Sequence, residues 1–505
     1  MSSFYTARFL RRSGRRLSTL VTRDAHFASA TESDVQHFRS VLGDANVVTG
    51  DDMSRYNRDW LGQYIGKSSV ALRPRTTAEV SAVLRYCHQR NLAVVPHGGN
   101  TGLAGGSVPV HDEVVLSLQR MSDVVSIDAD AGVATVQAGV TLQQLDNALA
   151  PHALCVPLDL GVKATCQLGG NVSTNAGGLR FIRYGSLHGS VVGLEVVLAD
   201  GTVLDLLRSM RKDNTGLDLK QLFIGAEGTL GVVTAVAIAA PPRPNAVNVA
   251  FLGVKSWAAV LATLRRARSM LGEVLSAVEF EDSTCMRLVL QHLDGAVYPL
   301  TPGKQSPPFF MVIETAGSNG EHDMAKLSAF IAASTAAGDV VDASLASSSE
   351  HAEQLWRLRY GVSQALVKAG HVFKYDLSVP QAEMYNLVTQ MRDRLAADEA
   401  NGGLAHTVVG YGHVGDGNLH TNVLYDRHAS QGQLARMQSV LEPWLIERVR
   451  DLRGSVSAEH GIGQHKVDAL QYSKGPDARV LMRRVKDLLD PKGLLNPYKM
   501  LPPAA

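Results

Sequence analysis

The sequence predicts an α+β protein of two or more domains, on three observations. Between about residues 45 and 241, short apolar runs recur between turn residues, the pattern of a sheet of short strands. Pro241, Pro242 and Pro244 then break the pattern. Beyond them, long stretches of helical periodicity alternate with apolar strands. At roughly 100–200 residues per domain, a chain of 505 residues has room for this arrangement.

In chain order, Val70–Leu72 reads as a strand. Thr76 opens a helix with Glu79 three residues on, as in a capping box. Val80, Val83, Leu84 and Cys87 give that helix an apolar face. Leu92–Pro96, Val114–Leu118, Val133–Ala138, Leu194–Leu198, Thr202–Leu206 and Gly231–Ala239 read as strands. In the second region Val249–Val254, Phe309–Glu314 and Leu419–Tyr425 read as strands. Ser256–Met270, Asp323–Ala337, Ala352–Lys368 and Pro380–Glu399 read as helices. Gln431–Leu452 is a further helix, expected to kink or break at Pro443. A sheet with helices on one face suits this region, and a helical tail is expected over 461–505. The expected divisions are 1–23, 45–241, 242–460 and 461–505.

Composition narrows the function classes. The net charge is +1, which gives no sign of a nucleic-acid protein. The four cysteines, Cys87, Cys155, Cys166 and Cys285, form no CxxC pair, against a disulfide scaffold or a thiolate zinc site. The longest near-apolar run, Leu230–Ala240, is too short to span a bilayer, which takes about 20 residues. Residues 1–23 carry Arg8, Arg11, Arg12, Arg15, Arg16 and Arg23, seven Ser or Thr and no acid. That composition is expected of a mitochondrial transit peptide, with a disordered basic tail as the alternative.

Glycine is in excess, 46 residues against about 35 at roughly 7% usage, and it clusters. Pro96-His97-Gly98-Gly99-Asn100-Thr101-Gly102 runs on to Gly105-Gly106. Gly169-Gly170-Asn171-Val172-Ser173-Thr174-Asn175-Ala176-Gly177-Gly178 follows, then Arg183-Tyr184-Gly185, then Gly225-Ala226-Glu227-Gly228 with Val233 just beyond. Backbone N–H groups without a neighbouring Cβ can approach a phosphate closely. The spacing matches neither a P-loop nor GxGxxG. Three such loops in one region point to an extended ligand of dinucleotide size.

The second region carries His413 and His420 in Gly412-His413-Val414-Gly415-Asp416-Gly417-Asn418-Leu419-His420, and Glu459-His460 some forty residues on. Two imidazoles and a carboxylate can form a three-ligand metal site with an open position. Hydrogen-bonded histidines in a Gly-rich loop are the alternative reading. His420 and Asn422 share a strand face, and Arg359 and Ser363 share a helix face. Lys374 and Asp376 lie on one side of a further strand.

These motifs, with Pro157-Leu158-Asp159-Leu160-Gly161 and the closing Asn496-Pro497, resemble the vanillyl-alcohol oxidase family from about residue 45 onward. The resemblance implies a two-subdomain FAD-binding domain, an α+β substrate (cap) domain and a helical C-terminal segment closing on the FAD domain. It implies FAD contacts from Pro96, His97, Gly98, Gly99, Asn100, Thr101, Gly102, Pro157, Asp159, Gly161, Gly169, Gly170, Ser173, Asn175, Gly177, Gly178, Tyr184, Gly185, Glu227, Gly228, Val233 and Asn496. Some members attach the flavin through a His that follows Gly-Gly. Asn100 stands there, so non-covalent FAD is expected.

Within that family the His413-to-His420 and Glu459-His460 stretches are similar to the FAD-linked D-2-hydroxyacid dehydrogenase branch. The resemblance implies a divalent metal, typically zinc, on His413, His420 and Glu459, and His460 as the general base that also contacts substrate. It implies further substrate contacts from Arg359, Ser363 (Thr in the family), Lys374 and Asn422. Two cations suit a substrate with two carboxylates. The expected reaction is oxidation of D-2-hydroxyglutarate to 2-oxoglutarate in the mitochondrial matrix. Hydride passes to flavin N5, and electrons go on to an acceptor, in this family usually electron-transfer flavoprotein. The alternatives are D-lactate oxidation in the same branch, a flavin-containing alkyl transferase without net oxidation, and a metal-dependent hydrolase.

Overall fold

Runs of Val, Ala, Ile and Leu build three sheets, and the chain passes through them as two units. The computed structural model describes residues 21–303, 306–400 and 403–502. The first unit comprises residues up to Gly177, Ser186–Arg243 and the segment from Glu459 onward. The second comprises Gly178–Gly185 and Pro244–Ala458. The transit peptide expected over 1–23 lies outside the described residues except for its last three. Of these, Arg23 is tied to Asp112 through Nε at 2.5 Å and Nη2 at 3.1 Å.

In the first unit, β1 (Val47–Thr49), β2 (Val70–Leu72), β3 (Val94–His97) and β4 (Val114–Ser117) form a sheet in the order β1-β2-β4-β3. β2, β4 and β3 are parallel, which requires a crossover. The Thr77–Arg90 helix lies between β2 and β3 in the chain. Thr76 caps it by accepting from the Glu79 N–H at 3.2 Å. The Glu79 carboxylate reaches back to Arg75 N, one residue before the cap, so the capping box is only half closed. The other sheet is antiparallel, β5-β6-β9-β7-β8, from β5 (Val124–Asp128), β6 (Val133–Gln137), β7 (Val191–Val197), β8 (Val203–Leu206) and β9 (Val232–Ala239). One apolar core joins Leu72, Val94 and Leu116 to Val136, Val196 and Val236. Near the C-terminus Leu494–Asn496 runs beside β3, with Val94 N–H donating to Leu494 O and Asn496 N–H to Val94 O.

The Gly169–Gly178 stretch, read as a loop, begins as a helix, Leu168–Thr174. Ser173 Oγ and Thr174 Oγ1 bond back to Gly169 O and Gly170 O, and Asn175 ends the helix in the left-handed region at φ 47°. Glycine clustering hid a helix that its own hydroxyls support.

The second unit is built on one antiparallel sheet, β13-β10-β12-β11-β15-β16-β14. Its strands are β10 (Ala246–Val254), β11 (Leu275–Asp282), β12 (Phe309–Gly317), β13 (Val340–Leu345), β14 (His371–Ser378), β15 (His406–His413) and β16 (Asn418–Tyr425). Helices cover both faces rather than the expected one. Ser283–His292 and Ser349–Ala369 pack on the face that carries Phe251, Val312 and Tyr411. Trp257, which starts the Trp257–Leu271 helix, meets Phe280 and Phe309 on the opposite face. The Gln431–Asp451 helix runs through Pro443 without a break. The Gly178–Gly185 excursion is fixed to this unit by Arg180, whose Nε lies 3.1 Å from Glu314 Oε1.

Candidate functional site

The first unit holds an open cleft walled by the Pro96–Gly102 loop, the Leu168–Thr174 helix and the turn at Glu227-Gly228. Of the predicted cofactor residues, Pro96, His97, Gly98, Gly99, Asn100, Thr101, Gly102, Gly169, Gly170, Ser173, Glu227, Gly228 and Val233 line it. His460 lines it too. The glycines act in two ways. A Cβ at Gly99 would meet Thr165 O at 2.1 Å, so that glycine permits chain packing. Added at Gly102 or Gly170, it would meet nothing within 4 Å, which leaves the backbone open. Gln167 Oε1 and Asn171 Oδ1, both on the cleft wall, are buried without a partner among the described residues. A cleft with bare backbone and unpartnered acceptors fits a large polar ligand with donor groups, as FAD is.

The remaining cofactor candidates stand elsewhere. Pro157, Asp159, Gly161, Asn175, Gly177 and Asn496 are not among the residues that line the cleft, and Gly178, Tyr184 and Gly185 belong to the second unit. Asn175 Oδ1 accepts from Ser186 Oγ at 2.9 Å. The Asn496 amide donates to Gly106 O and Glu227 O and accepts from Lys499 Nζ, bracing two loops. Asn100 is itself a brace, donating to Arg58 O at 2.7 Å and accepting from Ser107 Oγ at 2.7 Å. Burial lowers His97 to a pKa of about 4, so the ring is neutral. The Glu227 carboxylate, raised by burial, accepts the N–H groups of Ile462 and Gly463 at 2.7 Å each. It thereby fixes the loop that follows His460.

In the second unit the sheet register collects the polar candidates. Lys374 opposes Asn422, Asp376 opposes His420, and Ser378 opposes Asn418. Tyr411 opposes His420 on one side and Glu281 on the other. Opposed residues share a face, so these side chains stand together under the Ser349–Ala369 helix. His413 Nε2 and His420 Nε2 converge to 3.4 Å. The other ring nitrogens turn to carboxylates, His413 Nδ1 to Glu279 Oε1 at 2.7 Å and His420 Nδ1 to Asp376 Oδ1 at 3.8 Å. Two ligand nitrogens on a tetrahedral zinc ion, each about 2.05 Å away, lie about 3.3 Å apart. Carboxylates behind both rings complete the pattern of metal-ligating histidines, so this donor pair fits a divalent metal.

Arg359 and Ser363 come down from the helix. Arg359 Nη2 lies 2.8 Å from Glu279 Oε2 as an ion pair without hydrogen-bond alignment, since that oxygen and Arg359 Nε both lack an aligned partner. Its guanidinium stacks 4.9 Å above the Tyr411 ring. Burial opposes the Arg359 charge, but Glu279, Tyr411 and Glu281 outweigh it and raise the pKa. The Tyr411 hydroxyl lies 3.1 Å from Ser363 Oγ and accepts from Asn422 Nδ2 at 2.9 Å. Lys374 is half-buried, and its pKa is lowered by burial alone.

Three predicted substrate residues thus gather on Tyr411, and Lys374 faces the same way. Glu459, the predicted third ligand, begins the returning segment of the first unit with His460, whose Nε2 lies 3.5 Å from Glu459 Oε1. Sequence reasoning missed Glu279 and Tyr411. Acids on alternate positions beside Ala277, Val278 and Phe280, Glu279 and Glu281 in β11, were the available signal, because a buried acid needs a partner.

Known proteins bear directly on this arrangement. The family model for FAD binding domains matches residues 68–207, and that for the C-terminal domain of FAD linked oxidases matches 243–500. The mitochondrial D-2-hydroxyglutarate dehydrogenase of Bos taurus is 52% identical, over 94% of this chain and 85% of its own. The enzyme of the same name from Arabidopsis thaliana is 48% identical, over 97% and 85%. D-2-hydroxyglutarate–pyruvate transhydrogenase of Saccharomyces cerevisiae is 41% identical, over 95% and 97%. Among solved structures, p-cresol methylhydroxylase shares the fold at a TM-score of 0.71 and 18% identity, over 93% of this chain and 97% of that one. Alkyldihydroxyacetonephosphate synthase does so at 0.71 and 16%, over 96% and 89%. The fold is therefore of the vanillyl-alcohol oxidase type, and the chain is an FAD-dependent oxidoreductase belonging to the FAD-linked oxidase family, alongside the D-2-hydroxyglutarate dehydrogenases.

Proposed function

We propose that this chain oxidises D-2-hydroxyglutarate to 2-oxoglutarate in the mitochondrial matrix and passes the electrons to electron-transfer flavoprotein. FAD, when bound, supplies the acceptor for the hydride leaving C2, and a divalent ion, zinc by its ligands, supplies a Lewis acid for the hydroxyl. The names of the relatives support the substrate and the mitochondrion. His413 and His420 hold the ion, with Glu459 as third ligand. His460 takes the hydroxyl proton, a role worth roughly 10²–10⁴-fold in rate. Ser363 and Asn422, held by Tyr411, orient the substrate. With Asn100 where an attaching histidine would stand, the flavin is held without a covalent bond.

The observation that carries this reading is Lys374. Arg359 already has Glu279 against it, whereas Lys374 has no hydrogen-bond or ion-pair partner among the described residues and loses solvation. A partly buried cation without a partner is costly unless a ligand brings the anion. D-lactate, with one carboxylate, leaves it unmatched, and D-2-hydroxyglutarate supplies a second carboxylate. In Lys374→Met, kcat/KM for D-2-hydroxyglutarate should fall roughly 10–150-fold, the equivalent of one charge-assisted bond, while D-lactate turnover changes little. Equal losses on both substrates would move Lys374 to the carboxylate they share. A wild type that prefers D-lactate would overturn the substrate assignment.

A further inference from the structure

We infer that Glu279 is a positioning residue that joins the metal site to the substrate-anion site. The inference rests on the reading of His413 as a metal ligand and Arg359 as a substrate contact. Glu279 lies in β11 with no measurable exposure, 0%, so its carboxylate is there for internal partners. It has one on each oxygen. Oε1 is 2.7 Å from His413 Nδ1, and Oε2 is 2.8 Å from Arg359 Nη2.

Each contact has a chemical consequence. Oε1 can only accept, so the His413 proton is held on Nδ1 and the Nε2 lone pair points toward His420 Nε2. Carboxylates behind a ligating imidazole fix its tautomer and raise its basicity, and losing one costs about 10–100-fold in metal affinity. Oε2 holds the Arg359 head over Tyr411, while Arg359 Nε stays buried and without a hydrogen-bond partner among the described residues. That nitrogen is available to an incoming carboxylate. One buried side chain thus orients a metal donor and an anion donor at once.

A carboxylate serves both partners because it has two acceptor oxygens, whereas an amide has one. Glu279→Gln must abandon either His413 or Arg359. Chelator competition on the resting holoenzyme, with zinc as the probe, reads metal affinity without turnover. Zinc affinity in Glu279→Gln should fall about 10–100-fold, with the flavin spectrum and melting temperature showing a folded, FAD-loaded protein. In the double variant Glu279→Gln/Arg359→Met the single oxygen has only His413 to serve, so zinc affinity should recover. Glu281→Gln, equally buried on the same strand face, should bind zinc as the wild type does.

Unchanged zinc affinity in Glu279→Gln would overturn the inference. A loss that persists in the double variant would overturn the bridging role, leaving Glu279 a partner of His413 alone. If Glu279→Gln does not fold, Glu279→Asp keeps the charge and draws it back by one methylene. About tenfold weaker zinc then supports the inference, and wild-type zinc affinity overturns it. A wild type that binds no zinc at all overturns the metal reading itself, which separates that failure from failure at Glu279.

Discussion

At the scale of the residue, the second unit concentrates acids where apolar side chains would ordinarily pack. Glu279 has partners, but Glu281, two positions along β11, has neither oxygen hydrogen-bonded among the described residues. Burial pushes Glu281 up to about 8; the nearby Arg359 opposes the shift and Asp282 adds to it. Its linkage follows from the direction. Below the ordinary carboxylate pKa of 4.5 both folded and unfolded chains are protonated at this site. Between 4.5 and about 8 the unfolded chain releases a proton that the folded chain keeps, so stability falls as pH rises through that window. Glu281→Gln has no proton to lose. Its melting temperature relative to wild type should climb by several degrees from pH 5 to pH 8 (roughly the window set by these two pKa values). A pH-independent difference would show that Glu281 does not titrate in the folded protein. The individual candidates were legible because His, Arg and Lys stand out by type. Their partners were not, because Glu279 and Tyr411 meet them only through sheet register and across 80 and 48 residues of chain.

At the scale of the element, the long helices and most strands could be read from periodicity. The helices around Trp257–Leu271 and Ser349–Ala369 begin within a few residues of their expected starts. What failed was local composition. Glycines hid the Leu168–Thr174 helix, and charged residues hid β11. Glu227 shows how an element can depend on one side chain. Gly461 and Gly463 have φ of 79° and 49°, and a Cβ at Gly461 would lie 2.8 Å from Glu227 Oε1, so the loop wraps closely on the carboxylate. Glu227→Gln leaves one N–H of the pair facing an amide. That should cost about 1–3 kcal/mol for an unsatisfied buried donor. Because the loop follows His460, kcat should fall more than KM rises. Wild-type kcat together with wild-type thermal stability would contradict this account of the loop.

At the scale of the whole molecule, the order of motifs along the chain was legible, but the passage of Gly178–Gly185 into the second unit was not. The 461–505 segment, expected to close on the FAD domain, lies with Leu494–Asn496 alongside β3 and Lys486 donating to Thr229 O, within the first unit. Gly178–Gly185, by contrast, leaves the glycine cluster to join the second unit. Such an exchange is set by long-range packing, which local periodicity does not record. Function is similarly distributed, since the cleft with His460 and the polar face with His413 and His420 lie on different stretches of chain. The measurement that tests their joint action most directly is anaerobic reduction of the bound flavin, followed near 450 nm (roughly the flavin band). It would be run on zinc-loaded, chelator-treated and zinc-restored protein with D-2-hydroxyglutarate, its L-enantiomer and D-lactate. The account predicts rapid bleaching by D-2-hydroxyglutarate, faster than by either of the others, lost on chelation and regained with zinc. Bleaching that is indifferent to chelation, or fastest with D-lactate or the L-enantiomer, would contradict it.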